Sequence, residues 1–263
     1  MSTPAPSGGA TDLGPVRLDP RVTGFPGQLH GGYLAGLAAA PLGGSAQVTL
    51  RRPVAATEPL RARRTGAGHV ELWAGEAVAA VAVPWSQVRR DRPDAAEVPR
   101  VDVAAAAAAT WPLPVSYAVP DCFVCGPRPP HGLHLAAAPL ADRPVVAGRW
   151  RPAGDGAVAA EQVWAVLDCP CFWALALDGP RAGRAVTAQL TVQLCRPVLA
   201  GHDHVVLAWP VATQGRALVV RAAVLTGEGQ VAAHGAQRLL LTSWGFDLSL
   251  LPPVRRAPSR ASH

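Results

Sequence analysis

Between positions 159 and 177 the chain reads AAEQVWAVLDCPCFWALAL, apolar on nearly every face of a helix. Such a helix cannot rest on a surface with one side in water, so other elements must wrap it. Four Val- and Leu-rich stretches follow, at 185–197, 204–210, 217–226 and 230–242. The clusters Gly201-His202-Asp203, Thr213-Gln214-Gly215 and Gly227-Glu228-Gly229 separate them. Turn residues at such short intervals join antiparallel neighbours. A curved antiparallel sheet around one buried helix is an α+β layer arrangement. Pro170 inside the helix is expected to kink or interrupt it, because it lacks an N–H and its ring meets the preceding turn.

A weaker copy of this order comes earlier. The small-residue segment FPGQLHGGYLAGLAAA (25–40) precedes strand-like stretches at 46–52, 60–64, 69–73 and 77–83. VTLRRPV (48–54) matches VQLCRPV (192–198) at five of seven positions, with an offset of 144 residues. Both copies follow a helix and end a strand at Pro, which favours duplication. The expected organisation is a tail (1–15), an N-terminal unit (16–85), a linker (86–120), a C-terminal unit (121–250) and a second tail (251–263). The first unit reads as degenerate, since its helix is shorter and Ala39 stands at the offset from His30 that Asp168 keeps from Ala159.

Composition narrows the class of function. All 24 basic residues are Arg, and the net charge of +6 is scattered rather than interleaved with aromatics, so nucleic acid is not an expected partner. No stretch is long and apolar enough for a membrane span, and the start of the chain has no signal-peptide pattern, so a cytoplasmic protein is expected. Five Cys point to reduced thiols. Cys122 and Cys125 form a CxxC followed by His131 and His134, with Cys169 and Cys171 further on. The separation between Cys125 and His131 is tight for two pairs of zinc ligands, and Gly126-Pro127 replaces the helix start that a redox CxxC needs. No metal or cofactor is therefore expected. Most of the eight Trp, including Trp164 and Trp173, are assigned to the core.

In this order the motifs resemble the hotdog-fold acyl-CoA thioesterases, in particular those with two fused hotdog units. FPGQLHGGYLAGLAAA is similar to their Gly-rich helix opening, and DCFVCGPRPPHGLHL (121–135) to the segment before the first strand. VWAVLDCPCFWA (163–174) is similar to their central helix, and Leu194-Cys195-Arg196-Pro197-Val198 to the end of the strand after it. The resemblance implies two tandem hotdog units, each an antiparallel sheet around a central helix. It puts the catalytic carboxylate at Asp168, with Thr187 and Gln237 orienting water. His30, Gly31, Gly32, Ala160, Glu161 and Arg196 are the expected contacts to an acyl-CoA or acyl-carrier thioester, with arginines meeting carrier phosphates.

An ionisable group in so apolar a helix is costly unless paired or used. Ala159-Ala160-Glu161 replaces His-Gly-Gly at the start of the second helix, which places a carboxylate where it would oppose oxyanion development. A thioester binder without chemistry, and an enoyl-thioester hydratase or dehydratase, are therefore the alternative functions. Exposed sheet edges are expected to pair copies of the chain.

Overall fold

The computed structural model describes residues 9–109, 119–141, 143–179 and 182–251. Strands β1 (Thr11–Val16), β2 (Ala46–Leu50), β3 (Leu60–Arg64), β4 (Val70–Ala74) and β5 (Ala77–Pro84) accompany helix α1 (Gly31–Ala39). Helix α2 (Val103–Ala107) follows, then β6 (Ala138–Pro139), β7 (Val146–Trp150), helix α3 (Ala160–Ala174), β8 (Arg184–Leu194), β9 (His204–Gln214), β10 (Ala217–Thr226), β11 (Val231–Thr242) and β12 (Phe246–Asp247). The strands join one antiparallel sheet in the order β1-β3-β4-β5-β2-β8-β11-β10-β9-β7-β6, with β12 beside β8.

Apart from the short β6 at one edge, that order is symmetric about the β2–β8 junction. β5, β4, β3 and β1 lead away on one side, and β11, β10, β9 and β7 on the other. The register places Gln47 opposite Thr191, positions that are equivalent under the 144-residue offset. A local two-fold axis therefore passes between them. Gln47 Nε2 donates to Thr191 Oγ1 at 2.9 Å, and Gln189 Nε2 to Thr49 Oγ1 at 3.1 Å. The repeated strands are thus the seam that makes two half-sheets into one.

Helices α1 and α3 lie antiparallel inside the curve, joined by small residues. A Cβ on Gly36 would stand 2.4 Å from Glu161 Cα, and one on Gly32 would stand 2.7 Å from Trp164 O. The two helices and the inner faces of the strands form one continuous apolar core. α3 runs through Pro170 as one helix, so the expected interruption does not occur. Burial on all sides of the helix outweighs the one backbone bond that Pro removes.

Two other boundaries differ from expectation. The tail expected at 1–15 contains most of β1, which pairs with β3. The expected linker is in part an ordered layer: Val98, Val101, Val103 and Ala106 pack with Val145, Val205 and Leu207 on the outer face of the second half-sheet. Residues 110–118 and 252–263, the remainder of the linker and most of the second tail, lie outside the described residues. Both outer edges of the sheet are blunted, β1 by a register shift near Gly14 and by Pro15, β6 by its two-residue length and Pro139. Among the described residues no helix is long and apolar enough to cross a membrane.

A buried imidazole sits under that outer layer. His234 on β11 is 2% exposed, and neither ring nitrogen has a partner among the described residues. Burial holds its pKa below the ordinary value, while Asp94 pulls it up, Arg221 pushes it down and Glu97 pulls it up. The fold keeps the ring neutral at a pH where the unfolded chain, with a free value of about 6.5, takes up a proton. This stabilising contribution is complete above about pH 6.5 and is lost as pH falls through the folded pKa. His234→Leu is expected to narrow the drop in melting temperature between about pH 7 and pH 5. An unchanged drop in a thermal unfolding series would exclude His234 as an acid-sensitive group.

Candidate active site

Asp168 is the one acidic side chain in the middle of α3, and it is 4% exposed. Its Oδ2 accepts from the Gly32 N–H at 2.7 Å, and its Oδ1 accepts from Thr187 Oγ1 at 2.8 Å. Gln237 Nε2 donates both to Asp168 Oδ1 and, at 2.7 Å, to Thr187 Oγ1. The three expected catalytic residues therefore form one hydrogen-bonded cluster drawn from α3, β8 and β11. Burial pushes the Asp168 pKa up, against the pull of His30, Thr187 and the Gly32 amide. Gln237 Oε1 is buried and has no partner among the described residues. An unmatched acceptor beside a carboxylate suits a donor such as water.

Thr187 reaches the cluster through a bulge. Arg238 pairs with Gln189, but the next residue on β11, Leu239, pairs with Thr187, so Ala188 is the extra residue. The inward positions Val192 and Leu190 would otherwise continue to Ala188. The insertion flips the alternation and turns the Thr187 hydroxyl towards α3. No Gly or Pro in this part of β8 signals the bulge in the sequence.

The first unit supplies the other wall. His30 caps α1, its Nδ1 accepting from the Tyr33 N–H at 3.4 Å and facing Asp168 Oδ2 at 3.7 Å. A Cβ on Gly31 would lie 3.3 Å from Asp168 Oδ2. The first-turn N–H groups of a helix have no intrahelical acceptor and carry its positive end. The α1 start thus delivers to Asp168 the glycine-lined helix opening that α3 lacks. A cleft of about 280 Å³ opens here, with Asp168, Thr187, His30 and Gly31 on its wall. Leu34, Leu50, Phe172, Trp173 and Phe246 give it an apolar lining, and Arg51 lies at its rim.

Three expected contacts are not part of this site. Ala160 and Glu161 begin α3 two turns before Asp168 and pack near Gly44 and Gly36, outside the cleft. Glu161 is thus not among the residues that line the cleft beside the α1 start. Arg196 is exposed, bonds to Gln230 Oε1 and does not line the cleft. Arg51 was missed by sequence reasoning. It stands in the repeat VTLRRPV, and its exposed guanidinium has no ion pair among the described residues.

At the symmetric pole the corresponding position is Ala39, fully buried, in place of a carboxylate. Trp164 Nε1 donates to Gly44 O at 2.9 Å there, and Leu194 and Ala160 close over Gly44. Bulky side chains thus occupy the second pole.

No protein-family model and no curated protein matches the sequence. Solved structures do match across nearly the whole chain. A provisionally named thioesterase from Novosphingobium aromaticivorans aligns over 89% of this chain and 94% of its own, with TM-score 0.57 and 14% identity. A protein of unknown function with a hot dog fold from Alicyclobacillus acidocaldarius aligns over 89% and 92%, with TM-score 0.52 and 13% identity. The TesB protein of Mycobacterium avium subsp. paratuberculosis aligns over 82% and 89%, with TM-score 0.52 and 14% identity. The fold is a tandem hotdog. In this tandem hotdog the cleft lies where the helix start of one unit meets the helix middle of the other.

Proposed function

We propose that the protein hydrolyses an acyl thioester carried on coenzyme A or on an acyl-carrier protein. The observation that carries this reading is the carboxylate–hydroxyl–amide cluster of Asp168, Thr187 and Gln237, of which Asp168 and Thr187 stand on the wall of an apolar cleft. Both Asp168 oxygens already accept hydrogen bonds, which favours a base over a direct nucleophile. Water held by Asp168 and Thr187, whose positions Gln237 Nε2 fixes, attacks the carbonyl carbon, and Asp168 takes its proton. The carbonyl oxygen, turning to an oxyanion, faces the Gly31 end of α1. The C–S bond breaks, the thiolate leaves, and the proton on Asp168 passes to it.

The apolar lining suits an acyl chain, and Arg51 at the rim suits the phosphates of a carrier, because a guanidinium grips phosphate oxygens in pairs. Release of free thiol from a panel of acyl-CoAs tests the reading directly; no turnover at any chain length overturns it. Arg51→Ala is expected to raise KM for acyl-CoA about 5- to 30-fold, the equivalent of one charge-assisted bond of ~1–2 kcal/mol. The same change should leave KM for a short N-acetylcysteamine thioester, which has no phosphate, nearly as it was. Equal effects on both substrates would remove Arg51 from carrier recognition.

A further inference from the structure

Four ligand-type side chains meet behind Asp168. His30 Nε2 lies 3.2 Å from Cys169 Sγ, and Cys122 Sγ lies 3.6 Å from Cys169 Sγ. The three ligand atoms lie within 4.8 Å of one another. Cys125, three residues beyond Cys122, is buried beside them and lines the same cavity as Cys122 and Cys169. All four side chains are buried, and the cysteines are free thiols. Both measured separations fall a little short of the edges of a metal site, so binding needs only a small outward shift of the ligand atoms. With Zn–S of ~2.3 Å and Zn–N of ~2.0–2.1 Å, a tetrahedron spaces two sulfurs ~3.8 Å apart and a sulfur and nitrogen ~3.6 Å apart.

We propose that His30 Nε2, Cys122, Cys125 and Cys169 form a closed zinc site of Cys3His type that pins the two hotdog units together. The ligands come from three places: the cap of α1, the loop before the second unit, and α3. The loop is built as a knuckle. The Gly126 N–H donates to Cys122 O at 2.8 Å, and a Cβ on Gly126 would stand 2.5 Å from Pro120 O and 2.6 Å from Cys122 N, so only Gly closes it. The Phe123 N–H donates to Thr23 O at 2.8 Å, which ties the loop to the first unit.

The other candidates of the sequence are engaged elsewhere. His131 contacts Arg21 O, His134 contacts Gly126 O, and Cys171 Sγ donates to Leu167 O. The tight spacing between Cys125 and His131 is therefore no obstacle. When Nε2 ligates the ion, Nδ1 takes the proton, gives up its long contact with Tyr33, and faces Asp168 Oδ2. A carboxylate behind a ligating histidine is the usual second partner of such a ligand.

The test is metal content of the full chain, purified reduced and without chelator from zinc-supplemented medium. About one zinc per chain is expected. In Cys122→Ser or Cys125→Ser it should fall at least tenfold, whereas Cys195→Ser, at an exposed thiol, keeps it. Should the serine variants fail to fold, the wild-type protein still decides the matter. Exchange into cobalt(II) should give the intense visible bands of a tetrahedral thiolate site, and zinc removal should lower the melting temperature. Background zinc with no cobalt spectrum overturns the proposal, as does a mass showing the cysteines paired as disulfides. Thiol release by the protein is a separate measurement, so either result can stand without the other.

Discussion

Asp168→Asn is expected to lower kcat for thiol release by about 10²- to 10⁴-fold, the range that a positioned general base contributes. The variant keeps the shape of the side chain and removes its basicity. Its carboxamide can still accept from Thr187 and Gln237 through the oxygen, but its NH2 then meets the Gly32 N–H, two donors face to face. A penalty of ~1–3 kcal/mol for that unmatched pair is expected in thermal unfolding. The loss of rate must therefore be read on protein shown to be folded at the assay temperature. Thr187→Val leaves the charge in place and removes one donor to Oδ1, so its loss should be smaller by about one power of ten. Turnover that survives Asp168→Asn would show that the carboxylate is structural.

Gly32→Ala is expected to damage stability and turnover together. The added methyl would stand 2.7 Å from both Asp168 Cβ and Trp164 O and 2.9 Å from Ala165 Cα. Two of these neighbours belong to the backbone of α3 and cannot rotate away, so the helices must separate, at about 1–3 kcal/mol. For a chain of this size that lowers the melting temperature by about 2–4 °C for each kcal/mol. Separation also lengthens the bond from the Gly32 N–H to Asp168. Gly31→Ala provides the contrast, because its methyl meets side chains alone, the Asp168 carboxylate at 3.3 Å, Leu50 at 3.4 Å and Thr187 at 3.9 Å. It should melt near the wild type while crowding the cleft and raising KM. If Gly32→Ala melts and turns over like the wild type, the helix contact is looser than described.

Much of the fold was legible because its signals are local. The turn clusters around Gly201, Gly215 and Gly229 bounded β9, β10 and β11, and β10 was expected at the residues where it forms. Asp168 stood out because it interrupts an apolar helix. What could not be read depended on contacts distant in sequence. Gly32 donates to Asp168 across 136 residues, and Cys122 meets Cys169 across 47. The bulge at Ala188 has no sequence mark, since Ala fits either strand geometry. In sequence each helix start precedes its own helix, which makes the opening of α3 the expected neighbour of Asp168. In three dimensions the antiparallel helices exchange ends, and the opening of α1 serves α3 instead.

Covalent joining of two hotdog units changes what substitution can do. In a dimer of identical subunits every exchange of a residue appears twice, so neither pole can lose its carboxylate alone. Here one pole keeps Asp168 while the other carries Ala39 and is plugged by an indole and a leucine. A single chain with internal symmetry can thus give up one vacant pole to solid packing while sparing the other.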